Sequence, residues 1–253
     1  TMAGIRFWPE MKDPDPGFTQ KAEQFKKLVP VFTNVIFDTS QVHANTLFEN
    51  MFAWLDNVKE AAQSHPEILF VIRAHPDESR PGKESRESVS SWINRSGLTS
   101  LPNVVFFDSG EYISSYELIR RAHLVMVYNS TIGLEAALLG KPVVAGGKAR
   151  FTQLETAYYP ASSEEYKVLL EELLSAEQID TPPKYKRNAR RFLYYQLFAT
   201  SLDFSDYLAD DGVWRGYVKL KDFPLDLLRP ENSATIRVLL EGILSEGDFT
   251  LTL

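Results

Sequence analysis

The chain has 253 residues, 44% of them hydrophobic, enough to bury a substantial core in one large domain or in a domain with an appendage. Its 27 basic and 34 acidic residues give a net charge of −7, which argues against a broad nucleic-acid-binding surface and leaves room for a local basic pocket. There is no cysteine, which excludes disulfides, thiolate metal sites and a cysteine nucleophile.

Residues 1–27 carry Pro9, Pro14, Pro16 and Gly17 and read as an irregular lead-in followed by a short polar helix. Val29 to Phe37 (VPVFTNVIF) reads as a first strand. Thr46 to Ser64 places Leu47, Phe48, Met51, Trp54, Leu55 and Val58 at helical spacing. Ile68 to Arg73 (ILFVIR) is a second apolar strand, and the charged stretch from Asp77 leads into a helix ending near Gly97. Asn103 to Phe107 is a third strand and Ser114 to Ala122 a helix; Leu124 to Tyr128 and Pro142 to Ala145 are the fourth and fifth strands. Between those last two lies YNSTIGLEAALLGKPVV: helix at Leu134 to Leu139, a left-handed stop at Gly140, and Pro142 to prevent continuation.

Apolar strands alternating with helices predict an α/β fold, a Rossmann-like parallel sheet with helices on both faces, over residues 28–175. SSEEYKVLLEELLS opens with a Ser/Glu capping arrangement and closes that unit as an amphipathic helix. Residues 176–253 read as a C-terminal helical extension with no convincing strand series, its aromatics Phe192, Tyr194, Tyr195 and Phe198 suited to core or interface.

In a parallel sheet the segments after each strand gather at the carboxyl edge, where open α/β folds bind ligands. Ser130 and Thr131 either cap a helix or offer hydroxyls to an anion, and Gly133 either relieves crowding or presents its amide. Arg73 and His75 leave the second strand at the same edge. A guanidinium there grips phosphate with paired hydrogen bonds or pairs with a local carboxylate; the imidazole bonds a phosphate, a base carbonyl or backbone. Asp38, after the first strand, is a candidate catalytic carboxylate or a distant helix cap. Glu135 either favours the helix dipole or accepts from ribose hydroxyls. His65 and His123 sit beside helix ends and are read as structural.

GxxxxGK[ST], an early GxGxxG, HExxH and GxSxG are all missing, which disfavours phosphate-loop, dinucleotide, zinc-protease and serine-hydrolase chemistry. No metal or cofactor is expected. No apolar run approaches the roughly 18–20 residues of a membrane span, and no N-terminal signal pattern is visible. Cytoplasm is the expected compartment, with peripheral attachment at the inner membrane left open.

Together VFTNVIFDTS, FVIRAHPDE, ISSYELIRRAHLVMVYNSTIGLEAALLGKPVVAGG and ASSEEYKVLL resemble bacterial capsular polysaccharide biosynthesis proteins, which are similar to glycosyltransferases of the two-Rossmann-domain (GT-B) type. The His75-Pro76 pair and the Ser130-Thr131 motif also resemble the donor-binding motifs of bacterial sialyl- and Kdo-transferases, which use CMP-activated sugars. The resemblance implies a donor domain for a CMP- or UDP-linked sugar and a glycan acceptor. Ser130, Thr131 and the Gly133 amide would meet the phosphate, His75 the phosphate or base, and Glu135 the ribose, with no bound metal. A complete enzyme of this type has an N-terminal acceptor domain that 27 residues cannot supply, so the chain is expected to be one half of such an enzyme or to do something other than full transfer. A nucleotide-sugar epimerase and a non-catalytic glycan- or partner-binding module are the competing expectations.

Overall fold

The computed structural model describes residues 11–36, 41–79, 86–213 and 216–251. The chain divides into two compact units, residues 10–189 and a unit that holds residues 190–253.

In the first unit the elements follow one another as α1 (Pro16–Ala22), β1 (Lys27–Phe32), α2 (Gln41–Ala44), α3 (Met51–Ser64) and β2 (Ile68–Arg73). Then come α4 (Val89–Ser96), β3 (Val104–Phe107), α5 (Ser115–Arg121), β4 (Val125–Val127), α6 (Ile132–Leu138), β5 (Val143–Ala145) and α7 (Ser163–Ser175). α8 (Pro183–Tyr194) closes the unit and runs on into the next. The five strands form one sheet in the order β3-β2-β1-β4-β5, with every pairing parallel.

Period-two alternation sorts the strand side chains between two helical layers. Val29, Val31, Phe70, Ile72, Met126 and Val144 join one core cluster with Trp54 and Val58 of α3, Trp92 of α4, and Tyr166 and Leu170 of α7. Residues of the opposite parity meet the other layer: α5 packs on β1, α6 on β4 and β5, and the rings of Phe18 and Phe107 lie 5.3 Å apart. Strands buried on both faces need no polar alternation, which is why each reads as an unbroken apolar run. The doubly wound α/β architecture expected from the sequence is present. Burying each large side chain here contributes about 1.5–3 kcal/mol; Trp54 is fully buried and donates from its indole Nε1 to the Tyr166 hydroxyl at 2.8 Å.

Local boundaries differ from expectation for identifiable reasons. β1 stops at Phe32, five residues before Phe37, because Thr33 turns its N–H and its hydroxyl onto the Arg73 carbonyl, each at 3.2 Å. α3 starts at Met51, later than Thr46, because the Asn50 side chain caps it, accepting from the N–H groups of Phe52 and Ala53. Gly140 takes the left-handed conformation, φ 80°, that stops α6.

The second unit corrects the helical reading of the extension. Beside a π-helical turn at Tyr195–Ala199 and α9 (Ala234–Leu244), it holds an antiparallel pair, β6 (Leu208–Asp210) with β7 (Val218–Leu220). Three-residue strands are too short for a period to show in sequence.

Candidate functional site

The strand order reverses between β1 and β4: the chain winds one way from β1 to β2 and β3, then returns to the other side of β1 for β4 and β5. Diverging loops at such a reversal leave a crevice at the carboxyl ends of the strands, the usual ligand position in open α/β sheets. Phe32 pairs with Arg73 on one side and with Val127 on the other, so β2 and β4 end at one level, about 10 Å apart across two strand spacings. His75 follows two residues past the first of these ends, and Ser130 three past the second. Sequence placed both at one edge of the sheet, and the topology puts them there.

The strand ends at this reversal are tied together by hydrogen bonds from main chain and side chain. The Asn129 N–H donates to Asn34 Oδ1 at 3.3 Å, directly across the reversal. Beyond β5, the N–H groups of Gly146 and Gly147 donate to the carbonyls of Val127 and Tyr128, and that of Lys148 to Ala44. The fully buried Tyr128 donates its hydroxyl to Asn45 Oδ1 at 2.5 Å, and burial pushes that phenol well above its ordinary pKa. Neither Asn34 nor Asn45 stands out in the sequence: Asn34 lies just after β1 and Asn45 just after α2.

The residues named from the sequence that fall among those described have definite settings. Thr131 occupies the position before α6, yet its side chain makes no capping bond, and neither its hydroxyl nor that of Ser130 has a hydrogen-bond partner among the described residues. Thr131 is exposed and Ser130 half-buried. The capping reading of these hydroxyls therefore fails: the first turn closes through main chain alone, with Gly133 N–H on the Ser130 carbonyl at 3.0 Å. That bond occupies the amide which the resemblance assigned to a phosphate. The crowding reading accounts for Gly133 instead, since a Cβ there would stand 3.0 Å from both Phe151 Cζ and Val127 Cγ2.

Arg73 also departs from expectation. It is 7% exposed, donates its Nε–H to the Ile113 carbonyl at 3.2 Å, and places Nη2 3.8 Å from Met11 Sδ. No carboxylate among the described residues pairs with it, and burial lowers its pKa from the ordinary arginine value. Its guanidinium thus clamps the lead-in, which bridges to the sheet unit at Lys12 and Ile113, and does not present itself to an anion. Arg73 points its side chain to the α5 face because it ends a strand on the odd-numbered parity, a consequence of register that a motif does not reveal.

His75 is half-buried, and its Nδ1 accepts from the Asp77 N–H at 3.1 Å. An accepting Nδ1 puts the hydrogen of the neutral ring on Nε2. The Glu135 carboxylate accepts the Tyr116 hydroxyl, a contact that, with burial and the carboxylate's charge, pushes that phenol up to about 12. One carboxylate oxygen is therefore engaged by a tyrosine that the sequence reading overlooked. Asp38 lies outside the described residues.

Two grooves are described on this unit, of about 260 Å³ between α3 and α7 and about 450 Å³ between α3 and α4. Neither is lined by His75, Ser130 or Thr131; both are side furrows of the helical layer. Among the described residues no group of three or more His, Asp or Glu is placed to hold a metal ion, and no helix is long and apolar enough to cross a membrane.

Residues 12–154 match the family described as capsule polysaccharide biosynthesis protein. Protein FixF of Sinorhizobium fredii is 36% identical over 126 residues, 47% of this chain and 27% of FixF. Solved structures with a similar chain course include the KpsC beta-Kdo 2,4 transferase of Thermosulfurimonas dismutans, at TM-score 0.44 and 14% identity over 71% of this chain and 47% of that one. Another is UDP-GlcNAc 2-epimerase of Neisseria meningitidis bound to UDP-GlcNAc, at 0.42 and 17% over 72% and 46%. The chain spans about a quarter of the curated relative it matches and about half of these structures.

Proposed function

Because the chain belongs to the capsule polysaccharide biosynthesis protein family, we propose that it forms the donor-binding half of a glycosyltransferase, holding a CMP- or UDP-activated sugar for transfer to a glycan. The observation that carries this reading is the pair of hydroxyls on Ser130 and Thr131, without a hydrogen-bond partner among the described residues, at the same strand edge as His75 and beside the reversal of strand order.

In this reading the hydroxyls donate to phosphate oxygens of the donor, and the Nε2–H of His75 adds a third donor from the neighbouring loop. Such donors stabilise most where charge develops, on the nucleotide as it leaves. The carboxylate oxygen of Glu135 not facing Tyr116 accepts from ribose. The hydrogen bonds that tie the strand ends at the reversal hold the loops bearing these groups before the ligand arrives, which limits the ordering cost of binding.

Thermal unfolding with added CMP, UDP and their sugar conjugates tests the proposal. A nucleotide at a hundred times its dissociation constant stabilises by about 2.7 kcal/mol, a rise of about 5–10 °C for a chain of this size. Ser130→Ala and His75→Ala should abolish the rise with the fold intact. If no nucleotide shifts the midpoint of the wild-type protein, the donor-site reading is wrong. Turnover of UDP-GlcNAc without any acceptor would assign an epimerase in its place.

A further inference from the structure

The side chain left unused by this reading is the carboxyl of Glu78, three residues beyond His75. It is 3% exposed. Its Oε1 accepts the N–H of Val89, the first residue of α4, at 2.7 Å. Its own N–H donates to the His75 carbonyl at 3.0 Å, while the next N–H back, that of Asp77, holds His75 Nδ1. One short 3₁₀ turn, Pro76–Ser79, thus fixes His75 at its start and is tied through Glu78 to a helix eleven residues on.

The second oxygen, Oε2, is buried without a hydrogen-bond partner among the described residues. Among the described residues, these are the charged groups nearest to it in chain and contact. Asp108, on the loop after β3, adds a like charge. On the α4 side, Glu87 and Arg95 are exposed and paired with each other, and the turn itself contributes His75 and Asp77. Desolvation and the Asp108 charge outweigh the Val89 hydrogen bond and push the Glu78 carboxyl up to about 7. A proton on Oε2 leaves Oε1 accepting from Val89; ionisation strengthens that one bond but puts a second negative charge beside Asp108 in a dry site, a charge relieved only by admitting water between the turn and α4.

We propose that Glu78 is a positioning residue for His75: in its neutral form it clips the His75 turn to the first turn of α4, and ionisation loosens the clip. Its effect on nucleotide binding rests on the donor-site reading; the clip itself does not. Glu78→Gln keeps the acceptor for Val89 and cannot ionise.

The test follows the backbone amide signals of Val89 and Asp77 by NMR of the full chain from pH 5 to 9. In the wild type the Val89 amide should shift with an inflection near neutrality, and the Asp77 amide, which reports the His75 contact, should carry the same component. Both should be absent in Glu78→Gln. Protonation of His75 itself moves Asp77 in both proteins and drops out of the comparison. A wild-type Val89 inflection confined to the ordinary carboxylate range, or one that Asp77 does not share, overturns the proposal, and this part needs no variant. For CMP or UDP, the affinity loss from pH 6 to 8 should be at least about threefold larger in the wild type than in Glu78→Gln; equal losses would sever the clip from the site. If no nucleotide binds at either pH, the donor-site reading fails, and the amide signals still decide the clip.

Discussion

Replacing Glu78 by glutamine should change how the stability of the protein depends on pH. In the folded chain burial and the Asp108 charge push this carboxyl up to about 7, from the ordinary carboxylate value of 4.5. Between those values the folded state holds a proton that the unfolded chain has released, so folding is favoured by acid. Stability from this group is fully present below pH 4.5, declines through the interval, and is lost above about 7. The gap of 2.5 pH units, at 1.36 kcal/mol each, sets a ceiling of about 3 kcal/mol. Glutamine also buries an amide in place of Oε2, an offset that is constant with pH. The prediction therefore concerns the difference between the two proteins, which should move in favour of Glu78→Gln by up to about 3 kcal/mol between pH 5 and 8. Urea unfolding at four pH values, with the denaturant slope checked for constancy, measures it. Parallel curves for the two proteins would refute the buried, charge-averse setting assigned to Glu78.

Asn103→Ala should destabilise by about 3 kcal/mol in urea, because its 1%-exposed side-chain amide faces the carbonyls of Ala62, His65 and Ile68 at 2.9–3.1 Å and takes that donor from all three when removed. Trp54→Phe should cost about 2–4 kcal/mol, since it empties core volume and strands the Tyr166 hydroxyl; a loss under about 1 kcal/mol would show that the Trp54–Tyr166 bond is not formed. Glu135→Gln should bring the Tyr116 phenol from about 12 back toward 10, read as an added ionisation step in the ultraviolet pH titration, which Tyr116→Phe then removes.

The fold was largely legible because strands buried on both faces must be apolar at every position. ILFVIR announces β2 residue for residue, and the Gly140-Lys141-Pro142 stop separates α6 from β5 without ambiguity. The short hairpin of the second unit was not legible, since three residues a side carry no period. At the site, chain order alone sufficed to bring His75 and Ser130 to one edge, because parallel strands put all their following loops on the same side. Contact partners were a different matter. That Tyr116 faces Glu135, or that Glu78 reaches Val89, depends on how elements separated by 19 and 11 residues are packed.

Sequence by itself thus determined the alternation of strand and helix, the parallel sheet and the edge on which the polar loops gather, because these follow from local apolar runs and short connections. Only the tertiary structure decided which of the polar residues are available. It withdrew Arg73 to the lead-in, bound the Gly133 amide to its own turn, and left the hydroxyls of Ser130 and Thr131 without partners among the described residues. Whether a side chain is spent or open depends on strand register and on which helix covers which face, quantities set by the packing of distant segments and invisible in any short stretch of chain.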